Sequence, residues 1–216
     1  MNLAVSYNIK NPREDIKSIP PTKSEYTKYI CTKITAHHEK KLRLLASHNS
    51  KMKFLKVNLK GLNGRLHPIL SNINTTREAM KARSHIKSLC DDVYTYEKRA
   101  KFSGGESTCR LCISQDETDE DIVHIIAKCS AYEDIRSQIL LEMKVACEIE
   151  LPESYFEEIL EDEILLTQFV LDCTSFNLPK RICPESGLFL TIPGLSRDIC
   201  YKIAKVRSEK LKLLML

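Results

Sequence analysis

Four residues near the centre of the chain, Cys109, Cys112, His124 and Cys129, stand at the spacing C-x2-C-x11-H-x4-C. No other feature restricts the fold as strongly, because four ligands of one ion must converge on a single point whatever the rest of the chain does. Zinc sites of the Cys3His type are tetrahedral and closed, with Zn–S bonds near ~2.3 Å and Zn–N bonds near ~2.0 Å. A closed site organises backbone and leaves no position for a water nucleophile. The spacing therefore predicts one structural Zn2+ and argues against metal catalysis.

The flanking residues fit such a site. Gly104 and Gly105 free the backbone for a tight turn before the first cysteine pair. Thr118-Asp119-Glu120-Asp121 has the form of a capping box with Thr118 as N-cap, and Ile122-Val123-His124-Ile125-Ile126 follows as a short buried helix. Cys129 falls just over one turn past the histidine. Ser130-Ala131-Tyr132-Glu133 is a second capping box, opening the next helix. Cys31, Cys90, Cys147, Cys173, Cys183 and Cys200 have no neighbours at ligand spacing and are expected to be core thiols. The cysteine count of nine is odd, and Met1 to Pro21 lacks the apolar centre of a secretory signal. A disulfide framework is thus the weaker reading, and a reducing intracellular compartment, nucleus or cytoplasm, is expected. No apolar run reaches 18 residues, so no membrane span is expected.

Helix is expected to dominate, as a mainly α array around the zinc knuckle with little or no β-sheet. A proline-containing opening (Pro12, Pro20, Pro21) leads to Ser24 as N-cap of a long helix over about Glu25 to Ser47, with Ile30, Ile34, Leu42 and Leu45 on its apolar side. Gly61, Gly64 and Pro68 mark a loop. Thr75-Thr76-Arg77-Glu78 starts a helix that continues through Met80, Ile86 and Leu89. Pro152 suits the first turn of one further helix carrying Phe156, Ile159, Leu160, Ile164, Leu165 and Phe169. Asn177 to Gly194, with three prolines, reads as a connector in which Gly187 to Ile192 forms a short extended piece. Ser196 then caps a last helix with Ile199, Ile203, Val206 and Leu213 on its apolar side. Three regions follow: basic helical 1–103, zinc-binding 104–146 and C-terminal helical 147–216.

Charge is distributed unevenly. Residues 51–110 carry thirteen Lys/Arg against five acids, whereas residues 113–163 carry sixteen acids against three bases. A basic first half followed by an acidic block points to a polyanionic partner for the basic part. Other candidate chemistry has simpler explanations. His37-His38 are consecutive on a helix and face apart; His67-Pro68 reads as a turn; Asp91-Asp92 read as solvated acids at a helix end. No P-loop, nucleophile elbow or dinucleotide fingerprint is present, so no enzyme activity is expected.

The segments Ala79-Met80-Lys81-Ala82-Arg83, Tyr94-Thr95-Tyr96-Glu97-Lys98-Arg99-Ala100-Lys101-Phe102, Cys109-Arg110-Leu111-Cys112 and His124 to Arg136 together resemble the zinc-binding region of reverse transcriptases from non-LTR (LINE-type) retrotransposons. Phe54-Leu55 and Arg65-Leu66-His67-Pro68-Ile69 upstream, and Leu166 to Cys173 and Leu195 to Tyr201 downstream, extend the resemblance over roughly residues 50–212. One departure is Ser88-Leu89-Cys90-Asp91-Asp92-Val93, where the family often has Leu-Thr-Gly. The resemblance implies that Cys109, Cys112, His124 and Cys129 are finger ligands. It also implies a C-terminal piece of such a polyprotein, or a host gene derived from one, without polymerase or endonuclease modules.

The expected function is RNA or DNA binding without chemistry. Lys81, Arg83 and Lys87 share an approximate helical arc, and Lys98, Arg99, Lys101 and Arg110 run into the finger. Tyr94, Tyr96 and Phe102 are interleaved with these bases, suited to stacking on unpaired bases. The alternative is a structural or protein-interaction domain in which zinc only stabilises the fold, with the acidic helices of residues 150–165 and the Leu211 to Leu216 tail making protein contacts.

Overall fold

Thr22 and Glu25 open the first helix as a reciprocal pair: Thr22 Oγ1 accepts from the Glu25 amide at 3.3 Å, and Glu25 Oε2 accepts from the Thr22 amide at 2.8 Å. The cap is therefore Thr22 and not Ser24, because only Thr22 has a glutamate three residues on. The computed structural model describes residues 22–48, 52–55, 67–112, 118–149, 151–176 and 187–214. Pro12, Pro20, Pro21, Gly61, Gly64, Arg65-Leu66 and Cys183 lie outside them. The chain divides into two units, Met1–Ser50 and Lys51–Leu216. In the first unit, helix α1 spans Lys23–His48. Ile30 and Ile34 are half-buried, whereas Leu45 is exposed, and Cys31 is exposed where a core thiol was expected.

The second unit contains α2 (Thr76–Leu89), α3 (Tyr96–Ser103), a π-helical turn (His124–Lys128), α4 (Glu133–Glu148), α5 (Glu153–Glu161), α6 (Glu163–Leu171) and α7 (Gly187–Leu213), with short 3-10 turns between them. It is a mainly α structure; among the described residues there is no strand, only an isolated bridge between Thr108 and Asp119. The boundaries expected at residues 103/104 and 146/147 do not coincide with the division of the chain at residues 50/51. Ile122, Ile125 and Ile126 of the Cys/His segment belong to one apolar core with Leu89, Ile139, Phe169, Ile199 and Ile203.

Helix α6 is the centre of that core. Leu166, Thr167, Gln168, Phe169, Val170 and Leu171 are all buried, so from Leu166 onward this helix is enclosed on every side. Its Phe169 ring meets Phe156 and Phe176 edge to face, with centroids 5.6 and 5.2 Å away. Gln168 spends its amide on the Phe54 carbonyl at 2.7 Å, joining two segments 114 residues apart. The single helix expected after Pro152 is broken in two by Asp162, whose Oδ1 accepts from the amides of Ile164 and Leu165 at 2.8 and 3.0 Å. That cap restarts the chain on a new axis and leaves Ile164 and Leu165 exposed, off the apolar stripe assigned to them.

Helices α2 and α7 pack together beside the core. Thr75 caps α2, its Oγ1 accepting from the Glu78 amide at 3.2 Å as its motif requires. Arg197 of α7 donates to the carbonyls of Ile69 and Ser71 at 3.0 and 2.7 Å, and Asp198 pairs with Lys81 of α2 at 2.6 Å. The stretch from Gly187 to Ile192 is the first turns of α7, not a connector or an extended piece, and Pro193 lies within the helix. An internal proline removes one backbone hydrogen bond. Burial of Ile192, Ser196 and Ile199, all within 1 % of full burial, holds the helix through that defect.

Candidate metal centre

The backbone brings the four predicted ligands to one point by three separate devices. Gly104 ends α3 at φ 69° and Gly105 follows at φ 107°, conformations that cost a side-chain-bearing residue strain. The chain then pairs briefly, with Cys109 N donating to Thr118 O at 3.1 Å and Glu120 N to Ser107 O at 2.9 Å. This sets the Cys109–Cys112 segment against the approach to the histidine. Asp121, not Thr118, caps the following turn: its Oδ1 accepts from the His124 amide at 2.7 Å. The turn from His124 to Lys128 is π-helical, closed by Cys129 N donating to His124 O at 2.7 Å. Both ligands therefore belong to the same wide turn, and the hydrogen bond that closes it joins them.

One ligand atom from each of Cys109, Cys112, His124 and Cys129 lies within 4.8 Å of all the others. Among the described residues, no other His/Cys/Asp/Glu group is gathered closely enough to hold a metal ion. A tetrahedral thiolate site with metal–sulfur bonds of ~2.3 Å separates its sulfurs by ~3.8 Å. Cys129 Sγ is 3.8 Å from Cys109 Sγ and 3.5 Å from Cys112 Sγ, and Cys112 Sγ is 3.1 Å from His124 Nε2. The quartet thus has the edge lengths of a small tetrahedron and could hold a metal ion.

The surroundings supply what such ligands need. His124 Nδ1 lies 3.1 Å from Thr118 Oγ1, so a ring proton on Nδ1 leaves the Nε2 lone pair for the metal. Thr118 has this outer role in place of the capping role its motif suggested. A hydrogen bond from Cys129, helped by His124 and the amides of Leu111 and Cys112, draws the Cys109 thiol down to about 3. The Cys129 thiol is pushed up by Cys109 and by burial. The opposed directions have one cause: without a cation, adjacent sulfurs share a proton, one accepting it from the other. A bound cation removes that conflict by stabilising every thiolate at once.

Three side chains outside the quartet complete the setting. Arg136, buried, donates to the Cys129 carbonyl at 3.1 Å and pairs with Glu133. Glu120, fully buried, places Oε1 3.9 Å from Cys109 Sγ and accepts from Arg207 of α7. Nothing local distinguishes Glu120 from its neighbours Asp119 and Asp121 in the sequence. Its partner stands 87 residues away. The remaining described cysteines separate as follows: Cys147, Cys173 and Cys200 are buried thiols pushed up by burial to about 11, 12 and 12, and Cys90 is half-buried.

The candidate nucleic-acid residues split into two groups. Lys81 is held by Glu78 and Asp198 at 2.8 and 2.6 Å, and these acids raise its pKa. Lys98 closes the end of α2 through the Asp91 and Val93 carbonyls and the Asp91 carboxylate. Tyr96 is buried under Arg110, whose guanidinium lies 5.4 Å from its ring centroid. These three are occupied inside the fold. By contrast, Arg83, Lys87, Tyr94, Arg99, Lys101, Phe102 and Arg110 are exposed. Lys101 pairs with Glu97 at 2.5 Å and Arg110 with Glu106 at 3.6 Å, while Arg83, Lys87 and Arg99 make no ion pair among the described residues. No helix among the described residues is long and apolar enough to cross a membrane. No protein-family model, curated protein or solved structure matches the chain.

Proposed function

We propose that this chain is a non-catalytic, zinc-stabilised module that binds single-stranded nucleic acid through α2, α3 and the approach to the metal cluster. On this reading it corresponds to the C-terminal part of a non-LTR retrotransposon reverse transcriptase, the family its sequence resembles. Three thiolates and one imidazole in a closed tetrahedral set favour zinc over harder cations.

The observation that carries the reading is the exposure of two large aromatic rings beside exposed basic side chains. Phe102 is 85 % and Tyr94 62 % exposed, at the two ends of the α3 segment that carries Arg99 and Lys101. Stacking an unpaired base on such a ring contributes about 1–3 kcal/mol, and flanking cations contribute by releasing counterions from phosphate. The acidic side chains of α4 and α5 lie on other elements and do not interrupt this stretch.

Anisotropy of a labelled single-stranded RNA, titrated with the full chain at two salt concentrations, tests the proposal. Reversing Arg83, Lys87, Arg99 and Lys101 together is expected to abolish binding or to reduce the salt slope by about 3, the value for four lost phosphate contacts on a single strand. Unchanged affinity and slope in a folded variant would refute the surface. A second reading has its own observation: Leu141 and Val145 of α4 and Ile149 at its C-cap form an exposed apolar row at four-residue spacing, suited to a protein partner. Absence of RNA binding at low salt would favour it.

A further inference from the structure

Helix α7 changes attachment along its length. Its first half is tied to α2 and to the Ile69–Ser71 segment through Arg197 and Asp198. Its last turns are tied to the Cys/His segment. Arg207 Nε and Nη2 donate to Glu120 Oε1 and Oε2 at 3.2 and 2.8 Å, and Lys210 Nζ donates to the Ala131 carbonyl at 3.0 Å, two residues past Cys129. Glu120 Oε2 also accepts from the Tyr96 amide at 2.8 Å, so this one carboxylate joins α3, α7 and Cys109.

We propose that Glu120 and Arg207 are positioning residues of the metal centre, and that metal binding and docking of the end of α7 are coupled through them. The inference rests on the reading of the quartet as a metal site. Its basis is charge. Three thiolates, a neutral imidazole and a divalent cation sum to one negative charge, and the buried Glu120 carboxylate adds a second. Arg207 brings one positive charge onto Glu120 through two hydrogen bonds and so compensates that carboxylate, whereas Arg136, at the Cys129 carbonyl, shares its charge with Glu133. If Arg207 leaves, Glu120 becomes an uncompensated buried charge beside an anionic metal cluster, which disfavours the metal. If the metal leaves, the paired segments that carry Cys109 and Glu120 lose their tie to the His124–Cys129 turn, and Glu120 is held less firmly against Arg207. Coupling of two equilibria is reciprocal: each must weaken the other by the same factor.

Competition for Zn2+ against a chromophoric chelator, on the full chain, measures one side of the coupling. Arg207→Ala and Glu120→Gln are expected to weaken Zn2+ binding about 10–100-fold, the range for outer-shell substitutions, with partial recovery in Arg207→Lys. Lys205→Ala, at an exposed position of the same helix, should bind as wild type does. Ile203→Ala controls for general loosening of α7, since it removes buried apolar contact but no charge. Amide hydrogen exchange measures the other side: chelation should expose amides of residues 205–213 while residues 195–200 stay protected. Wild-type Zn2+ affinity in folded Arg207→Ala would overturn the coupling, as would equal weakening in Ile203→Ala or unchanged protection of 205–213 after chelation. Failure of the wild-type chain to bind Zn2+ would instead overturn the metal reading itself, and the coupling with it.

Discussion

His85 gives a quantitative handle on the fold that is independent of the metal. It is 1 % exposed on α2, with Nε2 2.8 Å from the Leu171 carbonyl, and Nδ1 is buried without a hydrogen-bond partner. Burial, together with His67 and Arg197 nearby, lowers its pKa from the ordinary 6.5 to about 4; the Leu171 carbonyl and Asp172 act in the other direction. The native state therefore binds fewer protons at this site than the unfolded chain between these two values. Stability from neutral His85 is fully present above pH 6.5 and is lost as pH falls through about 4. The whole effect amounts to about 3 kcal/mol, and the part lost between pH 7.5 and pH 5.5 is about 1 kcal/mol. Acid also protonates metal ligands, so wild type alone cannot isolate the histidine. The comparison is with His85→Gln, which keeps an amide donor for Leu171 but does not titrate. Urea unfolding followed by circular dichroism at both pH values should show wild type losing about 1 kcal/mol more than the variant. Equal losses in the two proteins would refute the buried, neutral histidine.

Three further outcomes follow from named contacts. Cys112→Ser or His124→Ala should abolish stoichiometric Zn2+ in native mass spectrometry yet retain most helical circular dichroism, because Ile122, Ile125 and Ile126 remain anchored in the shared core; global unfolding would show that the core does not hold this segment. Phe156→Ala, at a 1 % exposed ring packed edge to face on Phe169, should cost about 3–5 kcal/mol in urea unfolding. A loss below about 1 kcal/mol would contradict that packing. Thr118→Val removes the partner of His124 Nδ1 and should weaken Zn2+ about 10-fold or more in chelator competition, with the thermal midpoint of the metal-free chain unchanged.

What the sequence disclosed and what it concealed differ by the range of the interactions involved. Thr75, Gly104, Gly105 and the quartet were legible because a cap, a left-handed turn and a Cys/His cluster that could hold a metal ion each leave a signature in local spacing. The break at Asp162 was not, since Ile164 and Leu165 continue an apolar pattern that only the observed cap interrupts. Pro193 suggested a connector because local cost is visible in a sequence and the burial of Ile192 that offsets it is not. Charge counting treated Lys81 and Lys98 as surface cations, although Asp198 and the end of α2 occupy them. Glu120 and Arg207 illustrate the same limit, because a buried pair 87 residues apart has no local mark.

The π turn between His124 and Cys129 makes their interval a gauge that tolerates no drift. Four residues lie between the two ligands, and the amide of one closes the turn on the carbonyl of the other. Deleting one residue would let the turn relax to ordinary α geometry and keep its hydrogen bonding, but would swing Cys129 away from the three other ligand atoms. Adding one would break the closing bond. A chain under pressure only to stay helical could change length here freely; a chain that must deliver a third sulfur to the same point cannot. The H-x4-C spacing is thus enforced by a backbone form that few sequences keep without a reason.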